Sequence, residues 1–344
     1  MLSKILESLY NKVFVNIVVN KHTVTVEIET CSSKAILESV EETFETSYIN
    51  DKMLIFIKSY IAESPYYYIS ILDLSAHQGA IPTCEKNKIS YYHDVSDSEY
   101  KCHDKTWTYY TSKTDLYEME KIYKDIGVDF IFSPFSVLNH FFQEKIKDNL
   151  ALFILIQDNF VALCVFEKSQ LLFGQYLDME NSPENEDLLL DSSNDDDDDD
   201  FDFDLDEGIN LEDVDVMDDL ENNEDFGDIE DLDSIEDIDE FSQTQDIEEE
   251  FYQDSEDELN DNASDDGFNE DYQRFSLIQS SVNRFYKDPK YESQFIENIY
   301  IADGVGISPD LKKYLEEEMF LNVYVRHVDI ACEISALAQE EVAL

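Results

Sequence analysis

No Lys or Arg occurs between Lys168 and Arg274, while 44 Asp and Glu residues fall between Glu180 and Asp271. Repulsion among so many uncompensated carboxylates outweighs the burial of the few apolar side chains between them, so this block supplies no core. The chain of 344 residues has a formal charge of -58, and setting the block aside leaves about -14 on about 250 residues. That is an ordinary value for an acidic folded body, and a body of that length buries a full core without disulfides or metal. The sequence therefore predicts one discontinuous body made of residues 1–178 and 274–344, with residues 179–273 as an acidic disordered insertion.

The same charge constrains partners. Phosphate backbones and anionic lipid surfaces repel a polyanion unless cations are concentrated locally. Here Lys12, Lys58, Lys86, Lys88, Lys145, Lys147 and Arg326 are scattered singly, so neither nucleic acid nor direct membrane insertion is expected. Residues 1–10 contain no apolar run of signal-peptide length. The longest apolar run, residues 150–156, is far short of a spanning helix. Five widely spaced Cys without a CxxC pair suit a reducing cytoplasm, and Cys84 and Cys102 are expected to be free thiols. The expected location is cytoplasmic.

Hydrophobic periodicity outlines the elements. Val13, Val15, Ile17 and Val19, then Val24, Val26 and Ile28, alternate as a hairpin. Ile36, Leu37, Val40 and Phe44 stand at helical spacing and predict a helix over 35–44. Residues 53–61 are apolar and fit a strand or a second helix, and 66–74 and 107–110 read as strands. A helix over 116–126, a strand over 128–132 and a helix over 135–146 follow. Three short antiparallel strands are predicted at 150–156, 161–166 and 171–177. Beyond the acidic block come an amphipathic helix at 275–286, a strand at 296–301 and a loop from Asp303 to Gly306. A helix opened by Pro309, a strand at 322–326 and a helix at 330–342 complete the series. Alternating strands and helices predict α/β architecture.

Two stretches carry a family resemblance: the hairpin at 162–177 (ALCVFEKSQLLFGQYL) and residues 296–325 (IENIYIADGVGISPDLKKYLEEEMFLNVYV), followed by 329–338. They resemble the actin-like proteins of type IV pilus and type II secretion machines, PilM and the cytoplasmic domain of GspL. In that family a strand enters a glycine loop, then a helix, a strand and a last helix of small residues. About 100 residues match, and the N-terminal half fits only in its strand order. The resemblance implies an actin-like (ribonuclease H-like) two-lobed body and a cleft for ATP and Mg²⁺.

The chain departs from that pattern where nucleotide chemistry would lie. Mg²⁺ needs oxygen ligands, and phosphates need closely approaching backbone N–H groups. The first hairpin offers Asn16, Ile17, Val18, Val19 and Asn20, with neither Gly nor carboxylate, and the second offers Asp158 without Gly. The candidate nucleotide-binding residues are Asp158, Asp303, Gly304 and Gly306. Gly304 and Gly306 permit a close turn, and the helix N-terminus at Pro309 could face an anion. A plain tight turn remains the competing reading. The resemblance thus implies a non-catalytic scaffold for a pilus, competence or type II secretion-like machine, without catalytic residues or cofactor. It would be recruited to the inner membrane by a single-span, PilN-like partner, because the chain ends at Leu344 without a membrane helix. An actin-like ATPase is the alternative.

Other constellations are weaker. Cys84, His93, Cys102 and His103 lack chelate spacing for zinc, and no metal is expected there. Asn262, Ser264, Asp266 and Gln273 around Gly267 lack the terminal Glu of a calcium loop. No GxSxG elbow supports hydrolysis. Within the acidic block, Phe226, Ile229, Leu232, Ile235, Ile238 and Phe241 recur at every third position. They predict a segment that docks a basic protein partner, with a solvated spacer as the alternative.

Overall fold

The computed structural model describes residues 10–32, 35–148, 150–179 and 265–343, and Asn16 and Ile17 lie in the first of thirteen strands among these described residues. The first sheet comprises β1 (Lys12–Val19), β2 (Val24–Ser32), β3 (Ala35–Phe44), β4 (Tyr66–Leu72) and β8 (Phe130–Phe132). Its order is β3-β2-β1-β4-β8. β1 runs antiparallel to β2 and parallel to β4, β2 is antiparallel to β3, and β4 is parallel to β8.

The second sheet repeats that order. Its core strands are β9 (Ala151–Ile156), β10 (Phe160–Glu167), β11 (Gln170–Asp178), β12 (Asn298–Asp303) and β13 (Asn322–His327), arranged β13-β12-β9-β10-β11. β9 is antiparallel to β10 and parallel to β12, β10 is antiparallel to β11, and β12 is parallel to β13. Numbered within each set, both sheets read 3-2-1-4-5 with the same strand senses. The fold class is mixed α/β with two sheets of this actin-like order, as the sequence led us to expect. β11 extends the second sheet through β5 (Gln78–Ile81), β7 (Trp107–Ser112) and β6 (Ser98–His103). All described residues belong to one compact unit, Met1–Glu186 with Phe251–Leu344.

The central strands of the second sheet are buried on both faces, which is why β9 and β10 are continuous apolar runs. One face packs Phe153, Leu155 and Phe166 against α4 (Pro134–Phe141), which packs in turn on α7 (Ile330–Ala343). The other packs Leu152, Ile154 and Val165 against α5 (Asp265–Lys287) and α6 (Pro309–Met319). Lys168 and Ser169, at φ 49° and 68°, form the β10–β11 turn with the left-handed backbone that a two-residue hairpin loop needs. In the first sheet, Val13, Val15 and Ile17 pack with Met53 and Ile57 of α1 (Asp51–Ile61), while Phe14 and Val18 belong to the core beneath α7. Asn50 caps α1 by accepting the Met53 N–H at 3.1 Å.

Several expectations are corrected. Residues 35–44 form strand β3, not a helix: their apolar spacing fits a helix, but Ile36 and Leu37 are exposed, and backbone pairing with β2 decides the conformation. The amphipathic helix after the acidic block begins at Asp265 instead of Phe275. The strand β5, the helix α2 (Lys86–Tyr92) and the strand β6 had no sequence signal, since QGAI does not alternate and SEYKCH is a mostly exposed edge. Cys84 and Cys102 are joined in a disulfide, because the chain after β5 passes beside edge strand β6. Most of the acidic insertion, including Phe226, Ile229, Leu232, Ile235, Ile238 and Phe241, lies outside the described residues.

Candidate functional site

Asp303 ends β12 and lies in register with Ile156 at the end of β9. Parallel pairing thereby brings the Gly304–Gly306 loop to the β9–β10 turn, where Asp158 is half-buried. Three of the four candidate residues thus form one loop, with Asp158 at the same end of the sheet.

The loop's backbone donors are fully committed. Gly304 donates its N–H to the Ile156 carbonyl at 3.1 Å. The buried Asp303 carboxylate folds back over its own loop, where Oδ1 accepts from Val305 at 3.0 Å and from Gly306 at 2.8 Å, and Oδ2 accepts from Ile307 at 3.0 Å. Ser308 donates its N–H to Asp271 Oδ2 at 3.1 Å, and its hydroxyl accepts from Asp310 at 3.1 Å, capping α6. Pro309 has no N–H. Every backbone N–H from Gly304 to Asp310 therefore has a partner within the chain. The cradle that would face a phosphate is filled by two of the protein's own carboxylates, Asp303 and Asp271.

The glycines serve this packing. Gly306 sits at φ +78°, a left-handed conformation, with open space where a Cβ would lie. A Cβ on Gly304 would clash with the Gln157 side chain and approach the Ile156 carbonyl oxygen at 3.1 Å.

Asp271 is delivered by α5 and held by Arg274, whose Nη1 donates to Asp271 Oδ1 at 2.7 Å; both side chains are buried. Arg274 Nη2 reaches Glu270 at 3.3 Å, and Glu270 lies 3.8 Å from Lys21 in the β1–β2 turn. Gln273 donates to the Met179 carbonyl at 2.8 Å, tying α5 to the end of β11. Asp271, Arg274 and Gln157 were missed from sequence. The available signal was the i,i+3 Asp–Arg pair, with Arg274 the first cation after the acidic block.

A second concavity, of about 350 Å³, opens between β8 and the β6–β7 pair. Tyr100, Tyr109 and Phe130 line it with Glu99, Asp129 and Glu341. Lys101 Nζ donates to Glu341 at 2.7 Å, so the cation there is already paired. At its base Asp73 accepts from Ser75 N–H at 2.9 Å and from the Thr111 hydroxyl at 2.7 Å. Burial nonetheless pushes its carboxyl above the ordinary range. Among the described residues no group of three or more His, Cys, Asp or Glu is arranged to hold a metal ion, and no helix is long and apolar enough to cross a membrane.

Comparison with solved structures finds low-identity matches over most of the chain. A Bacteroides thetaiotaomicron protein with actin-like ATPase fold and unknown function is 10% identical, with a TM-score of 0.47, over 98% of this chain and 99% of that one. The PilM-PilN type IV pilus biogenesis complex is 9% identical, with a TM-score of 0.46, over 93% of this chain and 89% of that one. The ethanolamine utilization protein EutJ from Carboxydothermus hydrogenoformans is 8% identical, with a TM-score of 0.36, over 91% and 84%. No curated protein matches by sequence. Residues 10–139 match the family described as Domain of unknown function (DUF8569). Residues 152–343, more than half of the chain, match a second model, and the protein belongs to the family described as Domain of unknown function (DUF8341).

Proposed function

We propose that the protein is a non-catalytic assembly scaffold of a pilus, competence or type II secretion-like machine, working at the cytoplasmic face of the inner membrane. The observation that carries this reading is the complete internal pairing of the N–H groups from Gly304 to Asp310. A nucleotide phosphate entering there would have to displace Asp303 and Asp271, and the displaced carboxylates would repel it. The rigid loop then serves to fasten β9, β12, α5 and α6 together. The partner in this reading is a single-span, PilN-like membrane protein. The groove lined by Tyr100, Tyr109 and Phe130 suits an apolar segment with basic residues, because Glu99, Asp129 and Glu341 outnumber the already paired Lys101.

Two measurements test the proposal. Calorimetry with ATP and Mg²⁺ should give no binding at micromolar protein. Micromolar binding that disappears in Gly304→Val would replace the scaffold with an actin-like ATPase. Inner-membrane vesicles from the source cells should retain the protein, and Glu99→Lys/Tyr100→Ala should release it without altering its melting temperature. Equal retention of that variant would remove the groove from the proposal.

A further inference from the structure

α7 follows the last strand of the second sheet in sequence, yet it packs on the inner face of the first, against β1, β2 and β4. The contact is acidic on the strand side. Glu29 is satisfied: its Oε2 accepts from the Ser335 hydroxyl at 2.5 Å and from the Gln339 amide at 2.6 Å. Glu27, two residues earlier on the same face, is not. Its Oε1 receives the Cys332 thiol at 3.3 Å and the Ser39 hydroxyl at 3.5 Å, both weak, and its Oε2 has no partner.

The orphan oxygen belongs to a row. Asn16 on β1 lies directly opposite Glu27 on β2 and opposite Ser70 on β4, so the three side chains leave the sheet on one face. Asn16 and Ser70 are fully buried, and both terminal atoms of Asn16 and the hydroxyl of Ser70 lack partners. An unmade bond at a buried polar atom is costly, and although none of these three side chains bonds another in the structure, rotation about their terminal torsions would let the row pair internally. It has two ways to do so. With a proton on Glu27, its O–H donates to Asn16 Oδ1 and Asn16 Nδ2 donates to Ser70. With the proton lost to water and the amide turned over, Ser70 donates to Asn16 Oδ1 and Asn16 Nδ2 donates to Glu27.

The two states differ in charge beneath α7. The charged groups facing Glu27 are Glu29 on β2, Glu41 on β3 and Asp329 at the start of α7, and all of them are acidic. The titratable group that α7 turns toward Glu27 is the Cys332 thiol, which burial, its contact with Glu27 and the Asp329 carboxylate push upward. β1 and β4 contribute the neutral Asn16 and Ser70. We propose that the Glu27–Asn16–Ser70 row is a proton-operated clamp, holding α7 on the first sheet while Glu27 is protonated and loosening it when a further negative charge appears there. Burial, followed by repulsion from Glu29, Asp329 and Glu41 and opposed by the Cys332 hydrogen bond, raises the Glu27 carboxyl to about 7, which sets the switch near neutrality. The clamp stands independently of the scaffold reading.

Amide exchange in residues 334–338 of the full chain, corrected for intrinsic rates, tests it between pH 5.5 and 8.5. Protection should fall at least tenfold further in the wild type than in Glu27→Gln, and that excess should have its midpoint near 7. His140 titrates in both chains, so the difference between them isolates Glu27. An equal fall in Glu27→Gln, or none in the wild type, overturns the clamp. Should Glu27→Gln fold poorly, Asp329→Asn removes one repelling charge while keeping its cap on the Cys332 N–H. The midpoint should then move to lower pH, and an unmoved midpoint also overturns the clamp.

Discussion

The Asp271 carboxylate accepts the backbone N–H of Ser308 at 3.1 Å while Arg274 holds its other oxygen at 2.7 Å. One buried ion pair within α5 therefore fixes the start of α6 against it. Removing one member of a buried pair leaves an uncompensated charge and costs about 3–5 kcal/mol. Asp271→Ala should lower unfolding stability by about that amount in urea titration, and Asp271→Asn by less, since its amide oxygen still accepts from Ser308.

The Asp303 loop gives a graded series. Asp303→Ala frees three N–H groups in a tight turn and should cost about 3 kcal/mol or more, at about 1 kcal/mol net for each bond. Gly306→Ala meets no steric obstacle but must hold φ near +78°, so a loss of about 1–2 kcal/mol is expected. Chemical denaturation of the two variants checks the order; a larger loss in Gly306→Ala would contradict the assignment of Asp303 as the loop's fastener.

Thiol counting checks the disulfide directly. Cys31, Cys164 and Cys332 are free, so alkylation of unfolded, unreduced protein should add three labels and reduction should expose two more. The bond closes a loop with a sequence separation of 18, for which constraint of the unfolded chain is worth about 3 kcal/mol. A reductant should lower the melting temperature accordingly, and Cys84→Ala should melt alike with and without it.

His140 on α4 bonds Glu333 on α7 through Nδ1 at 2.5 Å. That bond raises the imidazole above its ordinary value despite burial. A group whose folded pKa is raised stabilises fully below its unfolded value, near 6.5, and loses that stabilisation as pH rises through the folded value. His140→Gln should therefore lower stability at pH 6 more than at pH 9, as read by urea midpoints at each pH.

For the acidic block, changing Ile229, Leu232, Ile235 and Ile238 to Ser keeps every carboxylate. If the segment docks a basic partner, the complex should dissociate faster in that variant, because buried anchors govern complex lifetime while charge governs encounter. At about 1 M salt, where the screening length falls to about 3 Å, the wild-type complex should persist. Unchanged dissociation would identify a solvated spacer.

Legibility from sequence followed burial. β9, β10 and β11 could be read because both faces of that sheet are covered, leaving uninterrupted apolar runs between turn residues. The 35–44 strand could not, since Ile36 and Leu37 face solvent and their spacing mimics a helix. The Asp303–Gly306 loop was visible as a Gly-x-Gly turn before a Pro-initiated helix. What fills it was not, because Asp271 looks in sequence like one more carboxylate of the acidic block. Only the fold sets it against Ser308. The Cys84–Cys102 bond depends likewise on where the chain after β5 passes β6.

The placement of α7 also constrains how the molecule is made. Synthesis runs from the N-terminus, so β1, β2 and β4 leave the ribosome long before residues 330–343 that cover them. Until then Phe14, Val18, Glu27 and Glu29 face solvent or a substitute. Contacts spanning some three hundred residues, such as Ser335 with Glu29, must close after translation has passed the whole acidic block. Loop closure over that separation makes such assembly slow. Nascent chains stalled before residue 330 should therefore bind chaperones that released chains do not.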